Sequence, residues 1–137
     1  MKTISEIQRE ITNEFNMFEN WMQKYEYLID LGKELPLIET QYKIDENLIK
    51  GCQSRVWLHA EKKNDKIIYT ADSDAIITKG IIAILIRALS NQSAAQIAKA
   101  DLFFIDDLGL KEQLSPNRAN GLVSMIKTMK FYALGFK

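Results

Sequence analysis

The sequence contains only one cysteine and one histidine among its 137 residues. A single cysteine cannot form an internal disulfide, which favours a reducing, cytoplasmic location. Two such residues are too few for a structural zinc or iron–sulfur site, which needs several Cys or His ligands. The chain also lacks a GxGxxG motif and a glycine-rich phosphate loop. We therefore expect no metal site and no cofactor bound by this chain itself.

An excess of charge and a long apolar run are also missing. Lys plus Arg and Asp plus Glu number 18 each, so the formal net charge is zero and nucleic acid is not an expected partner. Charged side chains interrupt the first residues, which excludes a signal-peptide apolar region there. The longest apolar run, 80–86, is far shorter than the roughly 20 residues that span a bilayer. We expect one domain over residues 1–137 that binds no membrane.

Hydrophobic spacing predicts helices on both sides of a central β-hairpin. Thr3 and Glu6 have the spacing of a capping box, and Gly32 is interpreted as the stop signal of the second helix. Ser115 followed by Pro116 marks the start of the last helix. The predicted helices cover 3–16, 19–31, 72–89, a short segment from 93, one or two turns within 101–114 broken at Gly109, and 116–133.

The predicted hairpin occupies 54–71. Residues 54–63 alternate between apolar and polar side chains, and 66–71 form the return strand. Asn64 and Asp65 tolerate the left-handed angles of a tight turn. Residues 48–50 are expected to form a further short strand, and the aromatic and apolar side chains from Phe18 to Ile29, Met22 included, to form one buried face. The fold class is α+β, with a small antiparallel sheet packed against helices.

The single cysteine lies at the start of this hairpin, in the stretch KGCQSRVWL of residues 50–58. Gly51 can adopt backbone angles closed to other residues, so a tight turn could present the Cys52 thiol at its tip for reaction. The cations Lys50 and Arg55 would favour the thiolate. The alternative is that Cys52 is a small buried hydrophobic residue.

Other polar residues give weaker signals. A cysteine hydrolase needs a base near the thiol, but His59 would lie about 20 Å along the strand, which is too far. Arg118 in the first turn of the last helix either pairs with an acid or bound anion, or is a plain surface residue. Asp74 is interpreted as a helix cap, and Lys79 as a residue that extends its ammonium away from an apolar helix.

Four blocks of the sequence together resemble the SufE family of sulfur-acceptor proteins, which includes the SufE-like and CsdE-like cysteine desulfuration proteins. The block around the cysteine, GCQSRVWL, is the most specific, and the likeness extends over nearly the whole chain. The blocks are WMQKYEYLIDLGKELP at 21–36, GCQSRVWL at 51–58, DSDAIITKGIIA at 72–83 and LSPNRANGLVSMI at 114–126.

The resemblance implies a SufE/IscU-like fold and a sulfur-transfer protein rather than a stand-alone enzyme. Cys52 would accept sulfane sulfur from a cysteine desulfurase of the SufS or CsdA type, whose cofactor is pyridoxal phosphate. It would hold the sulfur as a persulfide, stimulate the desulfurase and deliver the sulfur to an iron–sulfur scaffold of the SufBCD type. A turn that tucks Cys52 against apolar residues would protect this persulfide. The loop or partner-binding residues would be Gly51, Gln53, Ser54, Asp74 and Arg118.

Two other functions remain open at this point. One is a non-carrier adaptor of the same fold that binds and regulates a desulfurase, and the other is a stand-alone thiol hydrolase. The sequence also leaves open the identity of the desulfurase and whether the chain forms a homodimer.

Overall fold

The computed structural model describes residues 2–136, which form a two-stranded antiparallel sheet and seven α-helices. Two 3₁₀ turns lie in the connection that precedes the hairpin. The α+β class and its small antiparallel sheet are confirmed. The elements in chain order are α1 (Ile4–Phe15), α2 (Trp21–Lys33), 3₁₀ turns at Thr40–Tyr42 and Asp45–Asn47, β1 (Val56–Lys63), β2 (Lys66–Ser73), α3 (Ile76–Leu89), α4 (Ala94–Lys99), α5 (Phe104–Leu108), α6 (Leu110–Gln113) and α7 (Pro116–Leu134).

Local sequence signals explain where several elements begin and turn. Asn64 and Asp65 adopt φ of 51° and 65°, as the predicted hairpin turn requires, and the strands pair from Lys63 with Lys66 to Val56 with Ser73. The capping box at the start of α1 is present. Ser115 caps α7, and a proline follows at its first helical position.

Irregular segments of the same chain bond to the outer edges of the hairpin, along β2 and at the start of β1. The amide of Ile49 donates to the carbonyl of Val56 on the free side of β1. The segment after α2 runs along the free side of β2, where the amide of Ile38 donates to the carbonyl of Ala71. The predicted short strand at 48–50 is present only as a single bridge. The isolated bridges join Leu37 to Ala71, Leu48 to Trp57 and Ile67 to Gln92.

Helix α3 is the centre of the fold, as its nearly all-apolar sequence predicts. It contacts α2, β2, α1 and α7. Where α2 crosses α3, a Cβ on Gly80 would lie 2.3 Å from the carbonyl oxygen of Leu28, and one on Gly32 would lie 2.9 Å from the amide nitrogen of Gly80. The interpretation of Gly32 as a helix stop is therefore wrong. It lies inside α2 because the two backbones meet there.

The predicted start of α3 is also wrong. Asp72 and Ser73 belong to β2, and the residue before the helix is Ala75, whose side chain makes no capping hydrogen bond. Asp72 instead forms ion pairs with Lys43 at 2.9 Å and Lys79 at 3.3 Å. Pairing with β1 extends β2 to Ser73, beyond its predicted end, so α3 begins only at Ile76.

One side chain of the predicted apolar face of α2 departs from the prediction. Met22 is 74% exposed, whereas Leu28 is buried. In the described part of the chain, none of the helices is both long and apolar enough to cross a bilayer.

Candidate functional site

The cysteine loop, defined as residues 50–55, has a backbone that only glycine permits at its second position. Gly51 adopts φ of 90°, and a Cβ there would lie 2.4 Å from the hydroxyl oxygen of Ser124 on α7. Both the left-handed angle and the close contact favour glycine. The predicted tight turn before Cys52 is therefore present.

Three consecutive loop residues each meet one residue on a single face of α7. Gly51 faces Ser124, where an added Cβ would meet the hydroxyl, and the thiol of Cys52 donates to the carbonyl oxygen of Gly121 over 3.6 Å. The side-chain oxygen of Gln53 accepts a hydrogen bond of 2.9 Å from Asn117. Positions 117, 121 and 124 share a face because helical side chains repeat every three to four residues. Helix α7 is thus the wall against which the loop rests.

A second attachment joins the end of the cysteine loop to the connection between β2 and α3. A side-chain oxygen of Asp74 accepts from the backbone amide of Arg55 at 3.1 Å, and the Asp74 amide donates to the Arg55 carbonyl at 3.3 Å. Interpreting Asp74 as a helix cap is therefore wrong. Its carboxylate holds the loop in place.

Replacing Asp74 by alanine should increase the reactivity of the Cys52 thiol. The substitution removes one of the bonds that hold the cysteine loop, worth about 1 kcal/mol, so alkylation should accelerate about fivefold. The rate can be measured with iodoacetamide under native conditions. Asp74→Asn is the matched control, because it keeps the accepting oxygen and should react nearly as the unmodified protein does. Equal rates for both variants would contradict this role of the carboxylate.

The Cys52 thiol opens into a cleft of about 230 Å³, called here the Cys52 cleft. Its walls are the cysteine loop including Gln53 and Ser54, Thr78 and Ile81 of α3, and the N-terminal part of α7 as far as Met125. Cys52 is half-buried rather than presented at the tip of the turn. The sequence left open whether the thiol is shielded at rest, and the structure shows it partly shielded, with Cys52 packed against the hydrophobic core.

Burial also decides the protonation of the resting thiol. It raises the pKa of the Cys52 thiol, because a thiolate loses hydration there. The expectation that Lys50 and Arg55 favour the thiolate is wrong for this arrangement, because burial raises the pKa of the thiol and neither cation offsets it. At neutral pH the thiol is protonated and its reactivity is held back.

Two polar residues of the Cys52 cleft have no partner within residues 2–136. Arg118 lines the cleft and is exposed; its backbone amide donates to Ser115, but its guanidinium makes no hydrogen bond or ion pair with a described residue. Of the alternatives considered for Arg118, pairing with an acid is not found among residues 2–136. Thr78 is only 6% exposed, and its hydroxyl likewise makes no hydrogen bond there.

His59 lies outside the Cys52 cleft. Its ring stacks on Tyr42 with centroids 3.7 Å apart, and its Nε2 lies 3.1 Å from a carboxylate oxygen of Glu61. None of the described residues that line the cleft is a histidine or a carboxylate, so no general base faces the thiol. Across residues 2–136, no three Cys, His, Asp or Glu side chains are grouped so as to hold a metal ion.

Sequence reasoning missed the residues that form the walls of the cleft. Thr78, Gly121 and Met125 come from helices distant in sequence from Cys52. The small and polar residues at 117, 121 and 124, which share one face of α7, were the available signal. They indicate a helix face against which a loop packs, where large core side chains would otherwise pack.

Comparison with known proteins identifies the family of this chain. A family model described as SufE, Fe-S metabolism associated domain, matches residues 9–133. The chain belongs to the SufE family. The resemblance noted from the four sequence blocks is thereby confirmed, and an association with Fe–S metabolism follows from the family description.

The SufE-family chain also matches named relatives over most of its length. It is 40% identical over 129 residues to SufE-like protein 1, chloroplastic/mitochondrial, of Arabidopsis thaliana, covering 92% of this chain but 34% of that protein. It therefore spans about a third of that relative's length. An uncharacterized SufE-like protein of Rhizobium etli is 37% identical, with 88% of this chain and 85% of that protein covered.

A solved structure shares the fold of this SufE-family chain. The solution structure of a hypothetical protein from Thermus thermophilus superposes with a TM-score of 0.78 and 16% identity, covering 94% of both chains. At this identity the likeness concerns the fold alone.

Proposed function

We propose that this SufE-family protein accepts sulfane sulfur from a cysteine desulfurase as a persulfide on Cys52 and passes it on for iron–sulfur cluster assembly. The observation that carries the proposal is the placement of the only thiol in a cleft that has room beside it and no base facing it. A hydrolase would need such a base. Thiol–persulfide exchange requires a thiolate and access to it, and no base of the acceptor is obligatory.

The exchange step balances without an added oxidant. The Cys52 thiolate attacks the outer sulfur of the desulfurase persulfide, so a new S–S bond forms on Cys52 while the donor S–S bond breaks. The donor cysteine leaves as a thiolate. The proton first lost by Cys52 goes to solvent or to a group of the partner. Pyridoxal phosphate would belong to the desulfurase, and this chain would carry only the sulfur.

The half-buried thiol requires that the cysteine loop move during transfer. Cys52 is held through Gly121, whereas the Gln53–Asn117 bond lies at the surface. A desulfurase that binds this exposed pair would weaken the loop's attachment to α7 and raise the accessible fraction of thiol. We propose that this coupling stimulates the desulfurase, since a ready acceptor removes its persulfide. We place the protein in the cytoplasm, where a single thiol stays reduced.

The proposal is tested by intact-mass spectrometry of the protein after incubation with a cysteine desulfurase, pyridoxal phosphate and cysteine. The expected result is a gain of one sulfur atom, removed by reduction and located on the peptide that contains Cys52. Desulfurase alone with cysteine, and protein alone with cysteine, are the controls. No gain with a desulfurase that demonstrably binds the protein would overturn the carrier function.

Replacing Arg118 by alanine should slow sulfur acceptance without unfolding the protein. Arg118 is exposed at the Cys52 cleft and has no ionic partner among the described residues, so its charge is free for an acidic group of the desulfurase. We expect Arg118→Ala to lower the apparent affinity for the desulfurase about tenfold, because it removes one member of a desolvated charge pair at the interface. Transfer rates at varied desulfurase concentration measure it. Lys111→Ala, another exposed cation, should leave the rates unchanged.

A further inference from the structure

Thr78 is a buried polar residue whose hydroxyl the resting fold does not use. The side chain is 6% exposed, and the hydroxyl finds no hydrogen-bond partner within residues 2–136. The hydroxyl oxygen is not sealed from solvent, because among the described residues Thr12 holds the one side-chain oxygen that is both fully buried and unpaired. Thr78 lines the Cys52 cleft, so a group that enters the cleft can provide the missing partner.

The cleft has room for such a group bonded to Cys52. A second sulfur would lie about 2 Å from Sγ, the length of an S–S bond. The cleft volume of about 230 Å³ is several times the roughly 30 Å³ of a water molecule. Ile81 and Met125 provide apolar contacts on the same walls. A cleft of this volume that Cys52 lines has room for one added sulfur atom.

The surroundings of Thr78 also favour a negative charge. Thr78 lies in the first turn of α3, where no side chain caps the helix start. Arg118 lies in the first turn of α7, on another wall of the same cleft. The positive ends of two helix dipoles thus border the space beside the thiol. A persulfide is more acidic than a thiol, so its outer sulfur is the anion expected there.

We infer that the Thr78 hydroxyl donates a hydrogen bond to the outer sulfur of the Cys52 persulfide and holds it inside the cleft. This inference rests on the proposed carrier function of Cys52. Thr78 is a positioning residue that slows premature loss of the sulfur. In that loss, a free thiolate attacks the outer sulfur, its new S–S bond forms, the Cys52 S–S bond breaks, and Cys52 leaves as a thiolate.

The test loads the persulfide chemically, so that it does not depend on a desulfurase. Cys52 is converted to its mixed disulfide with thionitrobenzoate, and sulfide then displaces thionitrobenzoate to leave a second sulfur on Cys52. Glutathione is added, and intact-mass spectrometry follows the loss of that sulfur. The perthiolate absorbance against pH gives the pKa of the persulfide. The variants are Thr78→Val, which removes the hydroxyl at constant shape, and Thr78→Ser, which keeps it.

Thr78→Val should shorten the lifetime of the persulfide about fivefold to tenfold and raise its pKa, as expected for losing one hydrogen bond to a charged group. Thr78→Ser keeps the hydroxyl, so its persulfide lifetime and persulfide pKa should be close to those of the unmodified protein. The melting temperature of the unloaded Thr78→Val protein should change little, because the hydroxyl makes no hydrogen bond to the described part of the protein. Thr12→Val is the matched control: it removes a hydroxyl that likewise has no hydrogen-bond partner among the described residues, on α1 and outside the Cys52 cleft, and should leave persulfide lifetime unchanged.

Two outcomes would overturn the inference. Equal lifetimes and equal pKa values for Thr78→Val and the unmodified protein would show that the hydroxyl does not contact the sulfur. Equal losses in Thr78→Val and Thr78→Ser would assign the effect to packing instead. Failure of the proposed function would give a different result from failure of this inference. The protein would take up no sulfur from a desulfurase, yet its chemically loaded persulfide would still be protected.

Discussion

Replacing Cys52 by serine is expected to abolish sulfur uptake completely while the fold remains intact. A serine hydroxyl cannot form a persulfide, and no other cysteine exists in the chain to replace the thiol. After incubation with a cysteine desulfurase and cysteine, the variant should therefore show no reducible gain in mass. Desulfurase turnover should also lose its stimulation, because the acceptor is missing.

The serine variant separates a carrier from an adaptor only if it folds and binds. The hydroxyl can donate to the Gly121 carbonyl that now accepts from the thiol, and the site is only half-buried. We expect a change in unfolding free energy of less than about 1 kcal/mol. A melting curve and a binding measurement with the desulfurase provide the controls. Full stimulation by a variant that carries no sulfur would identify an adaptor and contradict the carrier function.

Replacing Gly80 by alanine should give the largest loss of stability of any single methyl group added to the chain. The new Cβ would lie 2.3 Å from the carbonyl oxygen of Leu28, and this neighbour is backbone that cannot rotate away. Helices α2 and α3 would have to separate, with an expected cost of about 3 kcal/mol. Denaturant unfolding followed by circular dichroism measures the loss.

Gly121→Ala is the matched control for this substitution. Gly121 is also a buried glycine inside a long helix, but a Cβ there would meet only Cys52, at 3.4 Å from its sulfur. Alanine is favoured over glycine in a helix interior by about 1 kcal/mol, so this variant should be as stable as the unmodified protein or more stable. An unchanged unfolding midpoint for Gly80→Ala would show that α2 and α3 tolerate separation.

The parts of the fold that sequence predicted are those fixed by neighbouring residues. The turn at Asn64 and Asp65 and the caps at Thr3 and Ser115 depend on side chains within a few positions. The errors arose where contacts with a segment distant in sequence determine the local structure. Gly32 matches the pattern of a helix stop, but it lies inside α2 because the backbone of Gly80 on α3 packs against it.

The same distinction applies to the site. Cys52 was identified from its neighbours in sequence, and Gly51 adopts the predicted turn. Asp74 was misinterpreted because its carboxylate accepts from the backbone amide of Arg55, which lies at the other end of the hairpin in sequence. The half-buried state of the thiol depends on α7, and no pattern around Cys52 indicates how closely that helix approaches.

The outer edge of β2 limits how this protein can meet other proteins. Unpaired strand edges recruit strands from neighbouring molecules, which leads to domain swapping and to fibrous aggregates. Here Ala71 bonds to the segment 36–38, and Ile67 bonds to the segment 91–92, on the free side of β2. This side is therefore closed to strand addition, and a partner that binds there must recognise side chains and surface shape.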